Sequence, residues 1–172
     1  MPAGICKHQR ITLRPSSDED QDFIFSVFCT ARAARFGNAL MEEQQLQPLL
    51  AMQYRAQQFQ YQQQYPQAQL DVVLLADKAV GYIHIEREQY HCTLIDIALL
   101  PETIGNGVGS YLVAELIREA RIEGKSVLAS VDKCNTPAWQ LWLRLGFEVV
   151  ADNGVYLAIE CRPNREAEPS AE

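Results

Sequence analysis

The sequence predicts an α/β (α+β) domain with a mixed, mostly antiparallel central sheet of about seven strands flanked by helices. Three observations carry that expectation. Between Leu70 and Leu99, three apolar runs follow one another with only a few residues between them, too close for the crossovers that parallel neighbours need. From Val108 to Glu123 the apolar residues recur at helical spacing, with strand-like runs on either side. The 172 residues suffice for one core, since a chain of this size buries roughly 70% of its unfolded surface. Residues 1–162 are therefore expected to form a single domain, and 163–172 a polar tail without fixed structure.

Gln9 to Arg14 alternates around Ile11 and Leu13 as a short strand, which Pro15, Ser16 and Ser17 should end. Asp18, Glu19 and Asp20 then put negative charge where a helix N-terminus favours it. Phe23, Ile24, Val27, Phe28 and Ala31 supply the apolar stripe, and Gly37 with Asn38 the stop. Leu40 to Gln69 is rich in glutamine, yet Leu46, Leu49, Leu50, Met52, Tyr54, Phe59, Tyr61 and Tyr65 recur at three and four. One or two amphipathic helices are expected, with Pro48 in a first turn. Disorder is the alternative that so many aromatics oppose.

The period then changes. Leu70 to Ala76 reads as a buried strand, Asp77-Lys78 as a tight turn and Ala79 to Glu88 as a strand with Val80, Tyr82, His84 and Glu86 on one face. Tyr90 to Leu99 makes a third strand, and Pro101 to Asn106 a loop. Val108 to Glu123 buries Val108, Leu112, Leu116 and Ala120, and Gly124 closes the helix. Ser126 to Val131 is a strand, and Pro137 to Leu145 a helix capped by Asn135 or Thr136. Phe147 to Ala151 and Val155 to Glu160 form a hairpin through Asp152-Asn153-Gly154.

Composition excludes several function classes. A formal charge of −7 opposes phosphate-backbone binding, so no nucleic-acid partner is expected. No apolar run reaches the roughly 20 residues of a helical membrane span, and no membrane partner is expected. Cys6, Cys29, Cys92, Cys134 and Cys161 lack the spacing of a metal site and cannot all pair within one chain. They read as reduced thiols in a cytoplasmic protein, and no metal is implied.

The chemistry-bearing segment is Ile104-Gly105-Asn106-Gly107-Val108-Gly109-Ser110, between a strand and the first turn of a helix. Glycines there let a ligand approach the backbone, and the unpaired N–H groups of the first turn make an anion cradle. The alternative is a tight turn alone. A triphosphate-binding loop would need a Gly-Lys-Ser/Thr that is absent, and a dinucleotide fingerprint a third glycine or alanine where Ser110 or Leu112 stands. A second cluster runs from Asn135-Thr136-Pro137-Ala138 through Trp142 to Gly146-Phe147.

In order and spacing, the two clusters resemble the GNAT superfamily of acyl-CoA-dependent N-acetyltransferases. There an Arg/Gln-x-x-Gly-x-Gly/Ala loop opens a helix, and an Asn-x-x-Ala-x-x-Leu-Tyr…Gly-Phe segment follows the next strand. The resemblance covers roughly Leu70 to Glu160, and Asp96 to Glu102 looks like the family's fourth strand and the loop entry after it. It implies acetyl-CoA as co-substrate, with the backbone of Ile104, Gly105, Asn106, Gly107, Val108, Gly109 and Ser110 on its pyrophosphate. Ile97, Ala98, Leu99 and Leu100 would pair with the pantetheine, the Leu99 amide polarising the thioester carbonyl. Asn135 would meet the pantetheine or only cap its helix, and Ala138 and Trp142 would line the thiol end.

Two positions depart from the pattern. Ile104 stands where Arg or Gln is usual, and Trp142 where a tyrosine often protonates the leaving thiolate, which an indole N–H cannot do. Asp96 and Glu86 are the candidate catalytic bases, with His84 on the face of Glu86. The alternative readings are a buried network for Asp96 and a solvent-facing Glu86. Cys134 is expected to be a small buried thiol rather than a nucleophile, as no paired histidine is evident. The implied activity is acetyl transfer to a primary amine of unspecified identity. The alternative is a catalytically degenerate acyl-CoA-binding or protein-interaction domain of the same fold, and analogy allows a homodimer.

Overall fold

The computed structural model describes residues 10–36 and 43–163. Among them, seven strands form one sheet in the order β1-β2-β3-β4-β5-β7-β6. Their ranges are β1 Ile11–Pro15, β2 Gln69–Leu75, β3 Lys78–Arg87, β4 His91–Leu99, β5 Ser126–Asp132, β6 Glu148–Asp152 and β7 Tyr156–Cys161. Four α-helices accompany them: α1 Gln21–Phe36, α2 Glu43–Gln64, α3 Val108–Ile122 and α4 Thr136–Arg144. The mixed, mostly antiparallel sheet with helices agrees with the sequence reading. Cys6, Gly37, Asn38 and positions 164–172 of the expected tail lie outside the described residues.

The described residues group into two compact units, with β4 contributing to both. The first, up to Glu86 and then Ile95–Gly109, holds β1, β2, most of β3, the end of β4, α1 and α2. Ile24, Val27 and Phe28 of α1 meet Leu50 of α2 and Tyr82 of β3 in its core. Tyr54 of α2 inserts between Phe25 and Phe28, with ring centroids 5.2 and 5.1 Å away. Thus Glu43–Gln64, within the glutamine-rich stretch, is one long helix, held at Tyr54 by the aromatic residues of α1. Pro48 lies inside α2 rather than in its first turn, so the helix lacks one N–H donor there.

Two turns in this unit differ in detail from the expectation. Pro15 is the last residue of β1, paired with Asp71, rather than a breaker after it; an edge strand tolerates a missing N–H. The β2–β3 turn is made by Ala76 and Asp77, both left-handed at φ 48° and 64°, and Lys78 already belongs to β3. Just before β1 gives way to α1, Arg14 grips Asp20 with two hydrogen bonds of 2.9 and 2.8 Å, while the Ser17 N–H donates to the same carboxylate at 2.8 Å.

In the second unit, Arg87–Leu94 and Ser110–Glu172, β4 and β5 run parallel and β7 is antiparallel to β5. Strand β7 lies between β5 and β6, leaving β6 as an edge exposed along its whole length. The β6–β7 turn is built as its residues suggest. Asn153 Oδ1 accepts from the N–H groups of Val155 and Tyr156, and Gly154 takes φ 94°. Leu112, Leu116 and Ala120 of α3 are buried as the period requires, and Gly124 closes the helix at φ 69°. No helix among the described residues is long and apolar enough to cross a membrane.

Candidate functional site

The end of β4 is shaped by Gly81 on β3. A Cβ on Gly81 would lie 2.2 Å from the Ala98 carbonyl oxygen and 3.0 Å from Leu99 Cα, so only glycine admits this approach. Leu100 N–H donates to Val80 O at 2.8 Å. Because successive N–H groups of a strand point to opposite edges, those of Ile97 and Leu99 face away from β3. On that far edge, the β4–β5 ladder comprises four pairs and ends at Leu94–Ala129. Ile97, Ala98, Leu99 and Leu100, all half-buried, thus continue past the ladder.

A 3-10 turn at Pro101–Thr103 leads from β4 into the glycine loop. Gly105 and Gly107 adopt φ 83° and 80°, a conformation that L side chains resist. Gly109 is different: a Cβ there would have only an ordinary contact of 3.7 Å with Leu99. The loop consumes part of its own donor set. Ile104 N–H donates to Pro101 O at 3.2 Å, Asn106 N–H to Thr103 O at 3.4 Å, and the Asn106 side-chain amide to Glu102 O at 3.1 Å. Among the described residues, no backbone bond of the loop's turns uses the N–H groups of Gly105 and Gly107 or those opening α3, from Val108 to Ser110. Ile104 is 63% exposed, whereas the Val108 side chain is buried and can offer only its backbone.

The candidate bases occupy the helix-covered face of the first unit. Asp96 accepts the Tyr82 hydroxyl at 2.9 Å. Burial, and then the adjacent Asp96, push the Tyr82 phenol far above its usual pKa, so it remains protonated. Tyr54 is raised by the same two causes in the same order. Glu86 is 5% exposed and accepts the Gln67 N–H at 3.1 Å, so the solvent-facing alternative does not hold: alternation sets it on the face of Tyr82, under the end of α2. His84, on that face, meets the Tyr61 ring edge-on at 5.7 Å, and burial lowers its pKa and keeps it neutral. The tyrosines around Asp96 were missed from sequence, although alternation already set Tyr82 beside His84 and Glu86.

The remaining predicted residues lie on the second unit. Asn135 caps α4, its side-chain oxygen accepting from Ala138 N–H at 3.4 Å. Trp142 is 7% exposed and stacks edge-on against Phe147 at 5.3 Å. Cys134 is exposed rather than buried. It follows the end of β5 in a turn where its N–H donates to Asp132 Oδ1 at 2.9 Å, which keeps it on the surface. Cys29, Cys92 and Cys161 are thiols raised in pKa by burial. No three His, Cys, Asp or Glu side chains among the described residues gather as a metal site would require.

Comparisons with known proteins bear on this arrangement. Residues 37–147 match the profile described as the acetyltransferase (GNAT) family. No curated protein matches the chain. Among solved structures, PaiA N-acetyltransferase from Thermoplasma acidophilum, in complex with coenzyme A, superposes with a TM-score of 0.68 at 16% identity, over 89% of this chain and 99% of that one. Campylobacter jejuni N-acetyltransferase PseH, in complex with acetyl coenzyme A, gives 0.58 at 16% identity over 90% and 100%. The histone acetyltransferase HPA2-related acetyltransferase from Corynebacterium glutamicum gives 0.61 at 22% identity over 94% and 99%.

Proposed function

The chain belongs to the acetyltransferase (GNAT) family, and from that premise we propose that residues 1–162 act as one domain that transfers an acetyl group from acetyl-CoA to a primary amine of a small molecule, peptide or protein. The observation that carries the reading is the continuation of β4 past its ladder, immediately followed by a glycine loop with unclaimed N–H groups. Those two features suit an extended amide-bearing arm and a diphosphate, respectively.

In this reading the N–H groups of Gly105, Gly107, Val108, Gly109 and Ser110 bind the pyrophosphate. Ile104 and Asn106 shape the loop instead, because their N–H groups already close its turns. Ile97 and Leu99 offer N–H groups to the pantetheine amides, and the Leu99 N–H stabilises charge developing on the thioester oxygen. The donor supplies an activated acetyl group with a thiolate as leaving group. An amine reaches such a site as an ammonium with an ordinary pKa of about 10 and must lose its proton before it attacks.

We assign that proton to Asp96, which the Tyr82 hydroxyl orients. Glu86, already holding the Gln67 N–H, is the weaker candidate. Asn135 and Ala138 form the α4 cap in the second unit, and Trp142 packs its core; their roles toward the coenzyme stay with the family analogy. The buried Trp142 also favours a second reading, a domain of this family that binds acyl-CoA without turning it over.

Calorimetry with acetyl-CoA, together with an amine-panel screen that detects released thiol, tests both readings. Binding with turnover supports the enzyme, and binding without turnover on any amine supports the second reading. Gly107→Glu should abolish binding, as it places a side chain at φ 80° and a negative charge in the anion cradle. Unchanged affinity in that variant would remove the loop from the site.

A further inference from the structure

A groove of about 370 Å³ on the second unit is lined by none of the residues assigned above. Its apolar lining includes Ile117, Ile122 and Leu145, and three guanidinium groups border it: Arg118 and Arg121 from α3 and Arg144 from α4. Its volume is at the small end of the roughly 300–1,000 Å³ that takes small organic ligands.

The charges on α3 do not neutralise it. Glu115 is committed to Arg118, at 2.8 Å. Glu119 is committed to Arg87 at 2.7 Å, and Glu123 to Lys125 at 2.5 Å. Among the described residues, no carboxylate lies within ion-pair distance of Arg121 or Arg144, so two positive charges border one small groove on a chain of net charge −7. Each of these two arginines stands in the last turn of its helix, where a cation offsets the helix dipole. That accounts for one cation per helix. It does not account for both cations opening onto the same apolar-lined recess with Arg118 beside them.

We propose that this groove binds a small organic anion, a phosphate or carboxylate carried on an apolar body, with Arg121 and Arg144 taking the anion and Ile117, Ile122 and Leu145 the body. Guanidinium groups suit both oxyanions because their planar donors can bond two oxygens at once. The site is independent of the acetyl-transfer reading, since it uses none of the residues assigned to it.

The test is a titration of the full chain with phenyl phosphate, followed by amide chemical shifts, with inorganic phosphate as the anion-only probe. Saturable shifts around Ile117, Arg121 and Leu145 are expected, with weaker binding of inorganic phosphate. Arg144→Gln should weaken phenyl phosphate by about tenfold, and Arg144→Lys should restore part of the loss. Gly107→Glu, which disables the glycine loop, should leave these shifts unchanged. Absence of saturable shifts, affinity unaltered in Arg144→Gln, or binding lost in Gly107→Glu but kept in Arg144→Gln would each overturn the proposal. The last outcome would place the phosphate on the loop.

Discussion

Gly81→Ala tests whether β3 sets the position of the β4 end. The added methyl would lie 2.2 Å from Ala98 O and 2.8 Å from Leu99 Cδ2. The leucine methyl can rotate away, but the carbonyl belongs to the backbone. Even a favourable carbon–oxygen contact sits at about 3.3–3.6 Å, so the carbonyl must retreat by about 1 Å. Overpacking of this kind costs about 1–3 kcal/mol, and losing the bond from Leu100 N–H to Val80 O adds about 0.5–1.5 kcal/mol. A total near 3 kcal/mol corresponds to a fall in Tm of about 6–12 °C for a chain of this length. Urea denaturation followed by circular dichroism, with a thermal melt beside it, measures both. Gly105→Ala is the control: it meets nothing within 4 Å and carries only the φ of 83°, a cost of about 1 kcal/mol. If Gly81→Ala is no more destabilising than Gly105→Ala, the close approach does not constrain β4 and the reasoning fails. Acetyl-CoA affinity should fall in Gly81→Ala even at a temperature where the variant is fully folded.

Other substitutions probe other parts of the chain. Replacing the left-handed Ala76-Asp77 pair with Asn-Gly should raise stability by about 1 kcal/mol, read as a higher urea midpoint, because that pair suits a two-residue hairpin turn. The His84 pKa is lowered by burial, so below the ordinary value of about 6.5 the unfolded chain binds more protons than the folded one. Its contribution is therefore intact above that pH and is lost as pH falls toward the folded pKa. His84→Gln should flatten this part of the stability–pH curve; an unchanged slope would refute the assignment. Trp142→Tyr should destabilise by about 1–2 kcal/mol in denaturant titration through lost packing on Phe147, without raising turnover. A higher rate would show that the phenol reaches the leaving thiolate despite its burial.

Much of this architecture is legible in the sequence because its signals are local. The α3 period, the Gly124 stop, the Asn135 cap and the Asp152-Asn153-Gly154 turn each depend on a few adjacent residues, and each is found in the expected place. The insertion of β7 between β5 and β6 is not legible, since a hairpin written in sequence does not say which of its strands will pair with the sheet. For a related reason, sequence leaves the exposure of Glu86 open and gives that of Cys134 wrongly. Glu86 is buried and held by the N–H of Gln67, nineteen residues away along the chain in the turn after α2, and Cys134 is kept on the surface by a turn that propensity alone does not locate. For the loop at 104–110, glycine spacing indicates the left-handed residues. It cannot indicate that Ile104 and Asn106 would bond within the loop, because that depends on the 3-10 turn preceding it.

The strand order also has a consequence for how the chain is made. During synthesis β5 and β6 emerge before the strand that must lie between them, so until Tyr156–Cys161 has left the ribosome β6 has no partner in the sheet and β5 can pair only with β4. Until then Val127, Ala129 and Val131 form an open border that any extended peptide can template upon, and stalling or premature termination in this window would yield an aggregation-prone fragment rather than a slightly shortened protein.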